Sequence, residues 1–265
     1  MRKRVFLALF VMFFVCVAAS HATIYYHWLV WYGDEVRDLK ALTIAGKSYD
    51  NFSLPEGKFL IYTTYFIFQY DKPQGKLETR WDGAEVYIHM SKYRLTKLPF
   101  GLPPRVVTKA HVGVKFFRFN RKPVLCGRYQ QEWIHNIGHI NKGQEIRFTI
   151  GRREGENFAR VILIDNHIMK WTKEFTHPSF DASGRITTVR HGIETNADDL
   201  AFKGESINLW FQYSDNTWEL IPWGTGREQW CSNWLPCDID IEDWDYNCGR
   251  IQGTGGRVTF DCNLQ

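Results

Sequence analysis

Residues 145–150 read Glu-Ile-Arg-Phe-Thr-Ile: apolar and polar side chains alternate at every position. A period of two puts Ile146, Phe148 and Ile150 on one face and Glu145, Arg147 and Thr149 on the other, the signature of a half-buried antiparallel strand. About ten runs of this kind recur along the 265 residues. They include YYHWLVWY, KFLIYTTYFIFQY, AEVYIHM, VGVKFFRF, NFARVILI, ITTVRH, SINLWFQY, TWELI and RVTF, separated by Gly, Pro, Asn and Asp. Helix signals are scarce. The pattern predicts an all-β chain, an antiparallel β-sandwich or jelly roll.

The first residues have a different character. Arg2, Lys3 and Arg4 precede an apolar run from Val5 to about Ala19, and Ser20-His21-Ala22 offers small residues for cleavage. This is the layout of a secretory signal peptide over residues 1–22, and the apolar run is short for a bilayer-spanning helix. An uncleaved signal anchor is the competing reading. The expected mature chain is secreted and extracellular, with no membrane span after signal cleavage. Losing Arg2, Lys3 and Arg4 takes the 33 basic residues to 30, against 29 acidic ones. With no surviving basic run, nucleic acid is not an expected partner.

Cys16 would leave with the signal, so five of the six cysteines remain. Cys231, Cys237, Cys248 and Cys262 crowd the C-terminal end. In an exported chain they predict two disulfides stapling a Trp/Cys-rich region, with three pairings open. Their spacings of 6, 11 and 14 lack the close pairs of a four-thiolate zinc site. Cys126 is left over, expected as a buried thiol in a strand. Asn51-Phe52-Ser53 is a glycosylation sequon in a polar, turn-like stretch.

Composition divides the expected mature chain into an N-terminal β segment (23–96), a central module (97–200) opening on the Pro/Gly break KLPFGLPPR, and a Trp/Cys-rich region (201–265). These are separate units or parts of one continuous sandwich. Six of the eleven tryptophans fall in the last segment.

Candidate chemistry is sparse. His135 and His139 stand four apart, as in zinc hydrolases, but Asn136 occupies the position of the general base, and Gly138 with the Asn141-Lys142-Gly143 turn opposes a helix. In an extended strand the two would share a face about 13 Å apart, too far to chelate one ion. No metal or other cofactor is expected. Asp238, Asp240 and Glu242 alternate without the spacing of an EF-hand loop. There is no Gly-x-Ser-x-Gly elbow, and Glu132 and Glu145 are only nominal candidates for a carboxylate pair. One or two of the tryptophans are expected to face a ligand, because an indole face stacks on a sugar ring.

From Leu98 to about Arg190 the chain resembles a degenerate galectin domain. LPFGLPPR is similar to the family's opening segment, and VKFFRFNRK to the strand carrying its H-x-N-x-R sugar motif. VLC followed by Trp133 resembles the next strands, and INKGQEIRFTI and VILIDNHIMKWTKEFTHP resemble the segments after them, in the family's order. The resemblance implies a two-sheet, concanavalin-like jelly roll and metal-free binding of carbohydrate or glycoprotein. It assigns the site to Asn120, Trp133 and the cationic donors Arg118 and Lys122. Arg118 stands where the family has histidine, Lys122 where it has arginine, and Gly127 near its second asparagine. Asn136 and Gly138 replace its Glu/Arg pair, removing charge-assisted bonds to the sugar. The expectation is therefore a lectin-like protein without the usual galactoside contacts. The alternatives are a polysaccharide-active hydrolase or lyase on the same scaffold, and an interaction protein with no small ligand.

Overall fold

The computed structural model describes residues 25–32, 36, 38–70, 80–97, 102–121, 128–179, 186–197, 199–231 and 250–263. The described chain is all-β. Its strands are β1 (Tyr25–Tyr32), β2 (Leu39–Ser53), β3 (Phe59–Tyr70), β4 (Arg80–Leu95), β5 (Arg105–Arg121), β6 (Arg128–His139), β7 (Glu145–Arg153), β8 (Glu156–Asp165), β9 (Ile168–Pro178), β10 (Ile186–Thr195), β11 (Ala201–Tyr213), β12 (Trp218–Ile221), β13 (Arg227–Cys231), β14 (Arg250–Thr254) and β15 (Arg257–Asn263). No helix among the described residues is long and apolar enough to cross a membrane.

The strands form two antiparallel sheets. One has seven strands in the order β13-β1-β10-β3-β4-β5-β6, the other eight in the order β14-β15-β11-β2-β7-β8-β9, with β12 beside β11. Each sheet takes strands from all three sequence segments, so the segments are woven into one sandwich. The strands β3–β4–β5–β6 and β7–β8–β9 are runs of sequence neighbours, and in the second run the two-residue turns at Glu154-Gly155 and Asn166-His167 dictate the pairing. At Asn166, His167 and Gly155 the turns take up positive φ, where Asn and Gly are tolerated best.

The sheets enclose one large core. Val86, Ile88, Val114 and Phe116 enter it from the seven-stranded sheet, and Ile44, Phe148, Ile150, Val161 and Phe211 from the other. The 145–150 stretch behaves as its alternation requires. Ile146, Phe148 and Ile150 are buried, and Arg147 is exposed.

β2 departs from expectation. The sequon stretch is the end of a 15-residue strand rather than a turn, with Asn51 exposed and paired in register with Lys203 of β11. Inside the same strand, a register shift against β7 falls between Ile44 and Lys47, and the Lys47 side chain points into the core at 0% exposure. Its Nζ donates to Thr64 Oγ1 at 3.1 Å and lies 4.1 Å from the centre of the Tyr62 ring. Thr64 Oγ1 is 2.7 Å from His191 Nδ1, and Tyr62 OH is 2.6 Å from Ser206 Oγ. The chain of polar groups is thus satisfied internally, as burial demands.

Burial holds the Lys47 amine well below its ordinary pKa, offset in part by Glu85 on the facing sheet, and burial likewise lowers His191, with Lys47 adding to the effect. An amine whose folded pKa is depressed binds its proton in the unfolded chain first. Stability is therefore fully present above the unfolded pKa of Lys47 and falls as pH drops toward its folded value, by about 1.4 kcal/mol per pH unit for one proton. Lys47→Met is expected to keep the fold and to flatten the pH dependence of stability below about pH 10. Urea denaturation at successive pH values below about 10 checks it, and an unchanged slope would contradict a depressed Lys47 amine.

Candidate functional site

The outward face of the seven-stranded sheet is the best-organised polar surface in the described residues. Register fixes what it displays. One row across the strands runs Val30, Arg190, Tyr65, Glu85, Lys115 and Ile134. The next runs Trp28, Gly192, Thr63, Tyr87, Gly113 and Asn136. Trp28, Val30, Tyr65 and Phe117 form an apolar cluster on this face, separate from the main core, with Tyr26, Tyr32, Ile67 and Phe119 packed against it.

Glu85 lies at the centre with 3% exposure. Thr63 Oγ1 donates to its Oε1 at 2.6 Å, and Lys115 Nζ is 2.6 Å from its Oε2. Lys115 also reaches Glu132 Oε1 at 3.6 Å. Burial works against the Lys115 charge, but Glu85, Glu194 and Glu132 outweigh it and hold the ammonium far above its usual range. Glu194, half-buried on β10, is pushed up to about 7, first by burial and then by the Glu85 charge. The centre of the face thus carries one fixed cation, two carboxyl groups in contact with it and a third, Glu194, that titrates near neutrality. Arg190 lies 4.6 Å from the Trp28 ring and donates to Tyr65 OH at 3.0 Å.

Three glycines keep this face low. A Cβ at Gly113 would overlap the Tyr87 ring, one at Gly83 the Phe117 ring and the Phe66 carbonyl, and one at Gly192 the Trp28 indole and the His27 carbonyl. The rings therefore lie down across neighbouring strands instead of standing up from the sheet. Glycine in a strand interior weakens the strand in isolation, so it is informative where a ring takes up the vacated space.

The sequence-predicted residues fall elsewhere. Trp133 pairs with Phe116, whose side chain is in the core, so Trp133 faces the second sheet. It is half-buried, with its ring 3.8 Å from that of His177 and the Arg118 guanidinium 5.7 Å from it. Arg118 donates to the Pro178 carbonyl at 3.1 Å. This is a rim joint between the sheets. Asn120 holds a register position between Arg80 and Tyr129. Lys122, Cys126 and Gly127 lie outside the described residues, as do residues 1–22, Asp238, Asp240, Glu242, Cys237 and Cys248. Cys231 ends β13 in one sheet, and Cys262 is buried on β15 in the other.

The histidine pair has a definite answer. A register shift between Val112 and Gly113 leaves an irregularity in β6, so His135 pairs with core-facing Val114 and stacks on Phe175, while His139 pairs with outward-facing His111. They occupy opposite faces. Glu132 and Glu145 also part company. Glu132 joins the Lys115 cluster, and Glu145 lies in the other sheet beside Arg147.

A trough of about 410 Å³ opens on the far side of the molecule, lined by Asp50, Lys203, Glu205, Gln252, Arg257, Thr259 and Asp261. Arg257 there pairs with Glu205 at 2.8 Å. Its charges sit at a solvated rim where such pairs contribute little. The Glu85 face is the stronger candidate because its polar groups are enclosed and fixed.

No protein-family model matches the chain, and no curated protein matches it.

Gly113→Ala is expected to destabilise the protein by about 1–3 kcal/mol through displacement of Tyr87. Gly138→Ala, where nothing lies within 4 Å of the added carbon, is the control and should stay within about 0.5 kcal/mol. Chemical denaturation of the two variants compares them directly.

Proposed function

We propose that this is a secreted carbohydrate- or glycoprotein-binding protein whose ligand lies across the outward face of β4, β5 and β6, over Lys115, Glu132 and Asn136. One observation carries the reading: fixed charges and flattened aromatic rings share a single, pre-organised sheet face. A sugar presents hydroxyls that need charged or amide partners and an apolar C–H face that needs a ring. Lys115 donates, Glu132 accepts, Asn136 does both, and Tyr87 provides the neighbouring ring. Glu132 and Asn136 lie at the solvent side, so little has to move for a ligand to reach them.

The two-sheet architecture and the galectin-like order of segments from Leu98 to about Arg190 support the same reading. The leader over residues 1–22, the sequon at Asn51 and stapling of Cys231, Cys237, Cys248 and Cys262 by disulfides belong to it as parts of an exported glycoprotein. The face is shallow and Glu85 is enclosed, which favours binding over hydrolysis. A glycosidase needs two carboxyls open to substrate on either side of the scissile bond.

The residues singled out in the sequence, Arg118, Asn120, Lys122 and Trp133, supply the comparison. On a glycan array, Glu132→Ala and Asn136→Ala are expected to weaken any hit at least tenfold. Trp133→Ala should leave binding intact and cost about 2 kcal/mol of stability through lost packing. Loss of binding in Trp133→Ala and Asn120→Ala, with Glu132→Ala unaffected, would move the site to the rim.

A further inference from the structure

A second group of side chains on the outward face belongs to no part of the proposed sugar site. His89 on β4, His111 on β5 and His139 on β6 occupy one register row, with His89 paired to His111 and His111 to His139. Directly opposed residues on antiparallel strands have Cα atoms about 4.5–5.5 Å apart, and their side chains leave the sheet on the same side. Three imidazoles are therefore displayed side by side on three adjacent rigid strands. Chance alternation does not require histidine at any of these positions.

We propose that His89, His111 and His139 form a binding site for a borderline divalent cation, with Zn²⁺ the best fit. The His89 and His111 ring centres are 4.8 Å apart, with their planes at 43°. An imidazole nitrogen binds zinc at about 2.0–2.1 Å, which places each ring centre about 3.2 Å from the metal and two tetrahedral ligands about 5 Å apart, centre to centre. The observed spacing matches that value. His89 Nδ1 is enclosed and has no hydrogen-bond partner among the described residues, an atom whose polarity goes unused in the metal-free protein.

As the side chains stand, no three donors among the described residues gather round one point. His139 is exposed, and turning it toward His111 completes a three-histidine set. Exposed side chains make such turns on picosecond-to-nanosecond timescales. Water would take the fourth position, the arrangement of an open zinc site. Lys109 opposes the cation from one side and sets a limit on affinity.

The test is calorimetric titration of the purified mature protein with ZnCl₂ at pH 7.5 after EDTA treatment and its removal. Imidazole resonances are followed by long-range ¹H–¹⁵N correlation spectra. The expected result is one Zn²⁺ per chain, shifts at His89, His111 and His139, and at least tenfold weaker binding in His111→Ala. His139→Ala removes only an exposed ring, so it reports on the site even if His111→Ala folds poorly, and it should weaken binding several-fold. No binding at 100 μM Zn²⁺, or binding that persists undiminished in His139→Ala without shifts at His89 and His111, would overturn the proposal. Neither outcome bears on glycan binding, because Glu132 and Asn136 lie outside the histidine row.

Discussion

The fixed point of the seven-stranded sheet is the 2.6 Å contact between Lys115 and Glu85. A carboxylate enclosed at the middle of a sheet cannot stay ionised without compensation, and removal of its partner would leave an uncompensated buried charge. The neighbouring features follow from this. Thr63 completes the hydrogen bonding of Glu85, Glu132 shares the ammonium, and Glu194 is driven toward neutrality by burial first and by the Glu85 charge second. Rings lie over Gly83, Gly113 and Gly192 and wall the pair off from water along the sheet. The result is a rigid, low polar platform, and rigidity is what a shallow binding face needs.

The same residue type has the opposite fate one layer inward. Lys47 enters a core of Tyr62, Phe148 and Thr64, where burial holds the amine well below its ordinary pKa. The two lysines belong to different sheets: Lys115 lies on the outward face of one with its charge held by carboxylates, and Lys47 enters the core from the other. Their contrast explains why the inner polar chain reads as structure and the outer one as a site.

Much of the fold was legible from alternation alone. AEVYIHM, VGVKFFRF and EIRFTI read as strands, and strands they are, because each carries an uninterrupted set of core residues at period two. β2 was not legible, since Gly46, Lys47 and Ser48 put polar residues where the pattern asks for a core position, and only the internal partners of Lys47 make that tolerable. β6 was not legible as one continuous strand because Gly138 looks like a break, whereas it sits at an irregularity that the strand passes through. The same irregularity sends His135 and His139 to opposite faces, which no fixed period could foretell.

The site was harder to read. Glu85 and Lys115 are each a lone charge in the middle of an otherwise apolar strand, and that was the available signal. Their partnership depends on register between β4 and β5, which the sequence does not state. Trp133 drew attention as an aromatic in a motif-like position, but its parity with Phe116 turns it inward against His177.

The central claim is that ligand meets the protein on the Lys115 face. Chemical-shift mapping with an oligosaccharide identified by array screening tests it most directly. The account predicts that amides of Tyr87, Gly113, Glu132 and Asn136 shift together while the Trp133 indole and the strand β9 do not. Shifts concentrated on Trp133, Arg118 and β9, with the Lys115 face silent, would contradict it.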